Sequence, residues 1–252
     1  MKEYKAIIFD LFDTVVNFNR SRLPEVDLDG TPVRSTSRAA YKIFHRFHDE
    51  VDFKSFYYAF VESYAELNKI KENEHREFHT RERFKLMLRK MDIPLDRTSE
   101  ELVENMVSVH MEGIANAVEF PEENRKTLVQ IKDKNPRLAI ISNFDHAPTA
   151  YQLLDKFGIK EYFERILISV EIGWRKPKAE IFLEAFDLLG INPEDAIFVG
   201  DSYDADVVGS KGVGMNVLWI NKNDEPIKDG GFKPDYVVSN FSEIKKYITH
   251  RV

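Results

Sequence analysis

Hydrophobic positions along the chain follow two rhythms. Near the start, Tyr4 to Phe9 is an apolar run ending at Asp10, the pattern of a strand buried on both faces with an acid at its carboxyl end. Similar runs return at Leu138 to Ile141, Ala196 to Val199 and Val217 to Ile220. Each is preceded by an amphipathic segment with helical spacing: Glu122 to Lys134, Lys178 to Leu189 and Asp204 to Lys211. Strand and helix alternating in this way predict βαβ units around a mostly parallel sheet. Arg165 to Val170 and Tyr236 to Val238 are weaker strand candidates, and Phe241 to Ile248 reads as a closing helix.

From about Ser37 to Ala117 the rhythm is helical throughout. Phe44 and Phe47, then Phe56, Phe60, Tyr64 and Leu67, then Phe84, Met87 and Leu88 recur at helical spacing, and core packing is the simple reading of that aromatic stripe. Pro94, Asp96 and Thr98-Ser99 mark one helix stop and a new N-cap. The segment predicts about four helices, a sensible size for a lid inserted into the sheet domain. Before it, Asp27-Leu28-Asp29-Gly30-Thr31 contains the Asp-Gly pair of a hairpin turn, with Val26 to Leu28 and Pro32 to Arg34 as arms. The organisation expected is a sheet domain from 1–16 and 118–252, a helical domain over 17–117, and a hairpin at 25–35 within the latter.

Composition narrows the class. Hydrophobic residues are 43% and charged residues 31% of 252, as in ordinary globular protein. A net charge of −7 argues against nucleic acid or anionic lipid as the main partner. With no cysteine, thiolate nucleophiles and disulfides are excluded. No apolar stretch approaches ~20 residues, so no membrane partner is expected and a cytoplasmic location is the default reading. A monomer and a homodimer are equally open.

Four short segments then stand out, each where a predicted strand ends, the edge at which open parallel sheets bind ligands. They are Asp10 to Thr14, Ser142-Asn143, Lys176-Pro177, and Gly200-Asp201-Ser202 with Asp206 beyond. Asp10 on a rigid strand end suits a carboxylate nucleophile. Asp201 and Asp206 add like charge beside it, and two such charges about 4 Å apart repel by about 4 kcal/mol at an effective dielectric of 20. Three acids together therefore call for a cation, and oxygen-only ligands suit Mg²⁺. Ser142, Asn143 and Thr14 offer neutral donors for phosphate oxygens, while Lys176 offsets developing negative charge.

The order Asp-x-x-x-Thr, Ser-Asn, Lys-Pro and Gly-Asp-Ser-x-x-x-Asp resembles the haloacid dehalogenase superfamily across the whole predicted sheet domain. The resemblance implies an α/β fold: a Rossmann-like, mostly parallel sheet flanked by helices, with an inserted all-helical cap that selects substrate. It implies a covalent intermediate on Asp10, with Thr14 and Lys176 in the catalytic machinery. Mg²⁺ would be held by Asp10, Asp201 and the main-chain carbonyl of Phe12, supported by Asp206, and the transferring group by Ser142, Asn143 and Lys176. The activity implied is a Mg²⁺-dependent phosphatase acting on a small phosphorylated metabolite. The alternatives are a 2-haloacid dehalogenase-like hydrolase, or a phosphate-binding regulatory protein with little turnover.

One departure matters. Phosphatases of this superfamily usually carry an aspartate two residues after the nucleophile as general acid and base, where this chain has Phe12. Its absence leaves three readings: a substrate with a good leaving group, a substitute acid such as Asp13 or Asp145, or a different bond being broken. The 2-haloacid dehalogenases also have an aromatic residue there, since a halide leaves without a proton, but their fourth motif is neutral rather than acidic. Among other residues, His75 and His79 are four apart and could share a helix face, though Glu74, Arg76, Glu77, Arg81 and Glu82 make a solvated, salt-bridged face the simpler reading. His146 follows the second motif, and Trp174 and Arg175 precede Lys176, with packing or surface roles as the plainer expectation.

Overall fold

The structure, a computed structural model, describes residues 3–133, 137–228 and 230–248. The elements in chain order are β1 (Ala6–Phe9), β2 (Asn17–Phe18), β3 (Glu25–Leu28), β4 (Thr31–Arg34), α1 (Ser37–Phe44), α2 (Phe53–Glu74), α3 (Thr80–Lys90), α4 (Arg97–Asn116), β5 (Val118–Glu119), α5 (Glu122–Lys132), β6 (Arg137–Ser142), α6 (Ala147–Lys156), β7 (Arg165–Ile168), α7 (Ser169–Ile172), α8 (Ala179–Leu189), β8 (Ala196–Gly200), α9 (Val208–Gly212), β9 (Asn216–Ile220), β10 (Tyr236–Val238) and α10 (Lys245–Ile248). The chain divides into two units, one comprising 1–18 and 119–252 and the other 19–118.

Six parallel strands form the sheet of the first unit, in the order β10-β9-β8-β1-β6-β7. Strand β1 lies between β8 and β6, so its residues are covered on both sheet faces and at both edges, and Ala6, Ile7, Ile8 and Phe9 are all buried. This explains why the run has no alternation: neither face meets water. Burying a side chain the size of Ile or Phe contributes about 1.5–3 kcal/mol, so the four central strands anchor the unit. The register Phe9 beside Val199 and Ile140 brings the carboxyl ends of β1, β8 and β6 level. Asp10 N–H donates to Val199 O at 2.9 Å, carrying the ladder one residue further and fixing the start of the loop.

The predicted helices correspond to α5, α8 and α9 with shifted ends. Lys134, the expected end of α5, lies outside the described residues. The segment read as a helix over Asp204 to Lys211 begins instead as a wide π turn at Tyr203–Val207 and becomes α-helical only from Val208. Val170 belongs to α7 rather than to the preceding strand, and Phe241 to Ile248 starts as a 3-10 turn. Helix α6 has no counterpart in the sequence reading.

In the second unit α1 to α4 pack around Phe44, Phe56, Phe60, Phe84, Met87 and Leu88, all buried. Phe47 and Tyr64 do not join this core; both are more than half exposed. Phe47 lies past the end of α1, where helical spacing no longer dictates direction, and Tyr64 sits at the α2 rim with the Arg83 guanidinium 5.0 Å from its ring centroid. Asp96 caps α4 through a reciprocal pair of hydrogen bonds with Ser99. Strands β3 and β4 pair antiparallel through Asp29 and Gly30, both at positive φ, and Gly30 N–H donates to Asp27 Oδ1. His75 and His79 share no helix face: His75 ends α2 in the left-handed region and His79 caps α3. No helix among the described residues is long and apolar enough to cross a membrane.

Candidate active site

Three carboxylates meet where β1 and β8 end. Oxygens of Asp10, Asp201 and Asp206 lie within 4.8 Å of one another. Asp10 follows β1 and Asp201 follows β8, so both come from strand ends. Asp206 arrives by a different route. The π turn after Ser202 folds it back so that its Oδ2 accepts the Ser202 N–H at 2.9 Å. Wide turns of this kind recur at functional sites because they re-aim one side chain. Gly200 is required beneath it, since any Cβ there would overlap the Asp206 carboxylate.

Lys176 occupies the middle of this set. Its Nζ donates to Asp10 Oδ1 at 2.7 Å and lies 2.8 Å from Asp206 Oδ1, with the Phe198 ring centroid 4.8 Å away. The residue is 2% exposed. Burial opposes its charge, but the Asp10 and Asp206 carboxylates outweigh that cost and hold its pKa above the ordinary lysine value. Its main chain is held as firmly: Lys176 N–H donates to Asn143 Oδ1 at 2.8 Å, and Asn143 Nδ2 donates back to Lys176 O at 2.9 Å. The Lys176–Pro177 peptide is cis. Asn143 therefore reaches across from the end of β6 and clasps the ammonium-bearing residue by its backbone.

Burial pushes Asp10 up to about 6; the Lys176 charge pulls the other way and Asp206 adds to the rise. Burial also lifts Asp201 to about 7, reinforced by Asp10, Asp206 and Asp13. Three carboxylates and one ammonium leave a charge of −2 when all are ionised. That imbalance, presented by oxygen atoms alone, fits a hard divalent cation.

Ser142 and Thr14 supply hydroxyls to the same edge. Ser142 Oγ is buried and has no hydrogen-bond partner. Thr14 Oγ1 points at Asp201 Oδ1, 3.4 Å away. Phe12 turns its ring onto Phe144, with centroids 4.7 Å apart. Asp13 is left-handed, φ 60°, and its Oδ1 accepts the Phe18 N–H at 2.9 Å. His146 Nδ1 accepts the Thr149 N–H, capping α6, while Lys178 Nζ lies 5.1 Å from the Trp174 ring centroid.

Several supports escaped the sequence reading. Asn124 Nδ2 donates to Val15 O at 3.0 Å, pinning the loop after β1. Trp219 Nε1 donates to Asp201 O at 2.9 Å. Buried Ser169 accepts from Phe144 N–H at 2.9 Å and donates to Phe144 O at 3.2 Å. Lys222 donates to Asp13 O. Each lies far in sequence from the residue it holds and carries no motif of its own, so no local signal pointed to it.

The profile of the haloacid dehalogenase-like hydrolases matches residues 26–220, and the chain belongs to that family. It is 27% identical over 246 residues to a glyceraldehyde 3-phosphate phosphatase of Pyrococcus furiosus, covering 97% of this chain and 92% of that one. Against a glyceraldehyde 3-phosphate phosphatase of Methanopyrus kandleri it is 29% identical over 244 residues, 95% of each chain. Its fold matches that of a 2-haloacid dehalogenase from Pseudomonas syringae with a TM-score of 0.70 at 21% identity, over 96% of this chain and 97% of the other.

Proposed function

We propose that this hydrolase is a Mg²⁺-dependent phosphatase of small phosphorylated metabolites, with residues 17–117 acting as its cap. What carries the reading is the cluster of Asp10, Asp201 and Asp206 around one buried ammonium, which leaves uncompensated negative charge beside a strand-end nucleophile. The names of the two phosphatase relatives point to the same substrate class. A metal-free displacement of halide would gain nothing from two extra carboxylates next to the attacking one, so the dehalogenase alternative fits these residues less well.

In this reading Asp10, Asp201 and the Phe12 carbonyl hold Mg²⁺, with Asp206 in support. The bound ion supplies charge neutralisation and a fixed orientation for phosphoryl oxygens. Asp10 attacks phosphorus and carries the phosphoryl group, and water then releases phosphate. Lys176 keeps one Asp10 oxygen fixed and offsets charge on the transferring group. Ser142 Oγ, free of protein partners, donates to a phosphoryl oxygen, with Thr14 beside it. Asn143 serves chiefly by holding Lys176 in place.

The direct test is phosphate release from an aryl phosphate. Release that depends on Mg²⁺, stops with EDTA and resumes with excess Mg²⁺ is the expected result. Only background release from folded protein under all three conditions would withdraw the phosphatase reading and bring halide release from 2-haloacids forward.

A second expectation concerns stability. Asp10 and Asp201 sit at about 6 and about 7, above the ordinary 3.8. A carboxyl raised in the fold stabilises it fully below the ordinary value, and that contribution is lost as pH rises through the folded one. The metal-free protein should therefore lose melting temperature between about pH 4 and pH 7 through these two groups. Asp201→Asn should lose less over the same range, and Mg²⁺ should narrow the difference at pH 8. Parallel melting curves for wild type and variant across this range would contradict the argument.

A further inference from the structure

The three acids of the cluster are not held in the same way. Asp10 and Asp206 are gripped by their carboxylates: Asp10 Oδ1 accepts from Lys176 Nζ at 2.7 Å, and Asp206 Oδ2 accepts from Ser202 N–H at 2.9 Å. Asp201 is gripped by its main chain. Its half-buried carboxylate meets Thr14 Oγ1 at a long 3.4 Å, while its carbonyl oxygen accepts from Trp219 Nε1 at 2.9 Å. Both ends of one peptide unit are thereby occupied. The carbonyl of Asp201 takes the indole hydrogen, and the N–H of Ser202, in the same plane, donates to Asp206. Trp219, the 201–202 peptide and Asp206 form one chain of hydrogen bonds, each polarising the next. Turning that peptide would re-aim the residue that carries the Asp201 carboxylate and withdraw the donor from Asp206 in the same motion.

The indole is fixed firmly enough to act as a reference point. Trp219 lies in β9 beside Gly200 of β8 and is 1% exposed. Its ring meets Tyr203 edge-on, with centroids 5.4 Å apart at 65°. Tyr203 is itself anchored: its hydroxyl donates to Phe232 O at 2.8 Å, and a Cβ at Gly231 would come within 2.3 Å of that hydroxyl oxygen. Phe198, Val207 and Met215 belong to the same buried cluster. A buried indole N–H needs an acceptor, and this one takes the carbonyl of an acid in the site.

We propose that Trp219 is a positioning residue of the metal site: by fixing the 201–202 peptide, its indole N–H holds Asp201 and Asp206 in the arrangement that receives a divalent cation beside Asp10. The proposal rests on the reading of the three acids as a Mg²⁺ site and adds to it a residue that acts through the ligands alone. Losing a partner one step removed from a metal ligand typically costs about 10–100-fold in metal affinity or activity.

The experiment compares Mg²⁺ affinity by calorimetry in wild type, in Trp219→Phe, and in protein carrying 3-benzothienylalanine at position 219, whose bicyclic ring keeps the indole shape and lacks only the N–H. Both substitutions should weaken Mg²⁺ binding by about 10–100-fold. With an aryl phosphate, the Mg²⁺ concentration giving half-maximal turnover should rise by the same factor, while kcat at saturating Mg²⁺ falls much less. Leu189→Ala, in the same buried cluster but at the far end of α8, should lower the melting temperature and leave Mg²⁺ affinity unchanged. If Trp219→Phe does not fold, the benzothienylalanine protein decides. Mg²⁺ held by that protein as tightly as by wild type overturns the inference and leaves the metal reading standing. An equal weakening in Leu189→Ala also overturns it, because general destabilisation would then account for the effect. Wild-type protein that binds no Mg²⁺ removes both.

Discussion

Asp10→Asn should lower turnover of an aryl phosphate by about 10⁴-fold or more while the protein stays folded. Asparagine keeps the shape of the side chain and can still accept from Lys176 Nζ, which lies 2.7 Å from Asp10 Oδ1 in the wild type. What disappears is the anionic oxygen that forms the bond to phosphorus. Stability should hold, because the replaced charge is itself disfavoured: burial pushes Asp10 to about 6 despite the neighbouring ammonium. Lys176 retains Asp206 as a partner at 2.8 Å. Loss of turnover should therefore come with phosphate binding retained, as followed by calorimetry, and a melting temperature at pH 8 no lower than wild type. A variant within tenfold of wild-type turnover would rule out Asp10 as the nucleophile. Background rates in both proteins would favour a phosphate-binding protein with little turnover.

How much of this was legible depends on where each signal sits. The strands β1, β6, β8 and β9 announce themselves because burial on both faces leaves an unbroken apolar run, as in Ala6 to Phe9. The acids and Lys176 were visible because each follows such a run or opens a helix. Helix α6 was not: it begins Ala147-Pro148 behind a histidine cap, and its buried face of Ala150, Leu153 and Leu154 is narrow. Over the π turn at Tyr203–Val207 the sequence predicts ordinary helix, since composition does not distinguish an i→i+5 turn from an i→i+4 one. Residue type points to a phosphate ligand at Asn143; the structure adds that its amide closes on the Lys176 backbone across 33 residues of sequence, which no local pattern announces. The clasp of Ser169 on Phe144 is of the same kind. Partnerships made by one hydroxyl between remote segments leave no periodicity to read.

Lys176→Met tests the charge balance on which the whole site rests. Methionine matches the length and apolar bulk of the lysine stem and can pack against Phe198, so loss of volume is small. What changes is that Asp10 and Asp206, both buried, lose the ammonium between them. Removing one partner of a buried ion pair costs about 3–5 kcal/mol because the remaining charge is stranded. For a chain of this length about 1 kcal/mol corresponds to 2–4 °C, so a fall of roughly 10 °C is expected at pH 8 without metal. The deficit should shrink toward pH 5, where Asp10 carries more of its proton, and should shrink on adding Mg²⁺ at pH 8, where a divalent cation replaces the missing charge. Turnover should fall with either treatment, since neither a proton nor the metal restores a donor at the Lys176 position. Adding Asp206→Asn to Lys176→Met should recover much of the melting temperature without recovering turnover, which separates the energetic role of the lysine from its part in the reaction. A single variant that melts with wild type at pH 8 in EDTA would show that the carboxylates are not stranded, and the charge count behind the proposed metal site would then fail.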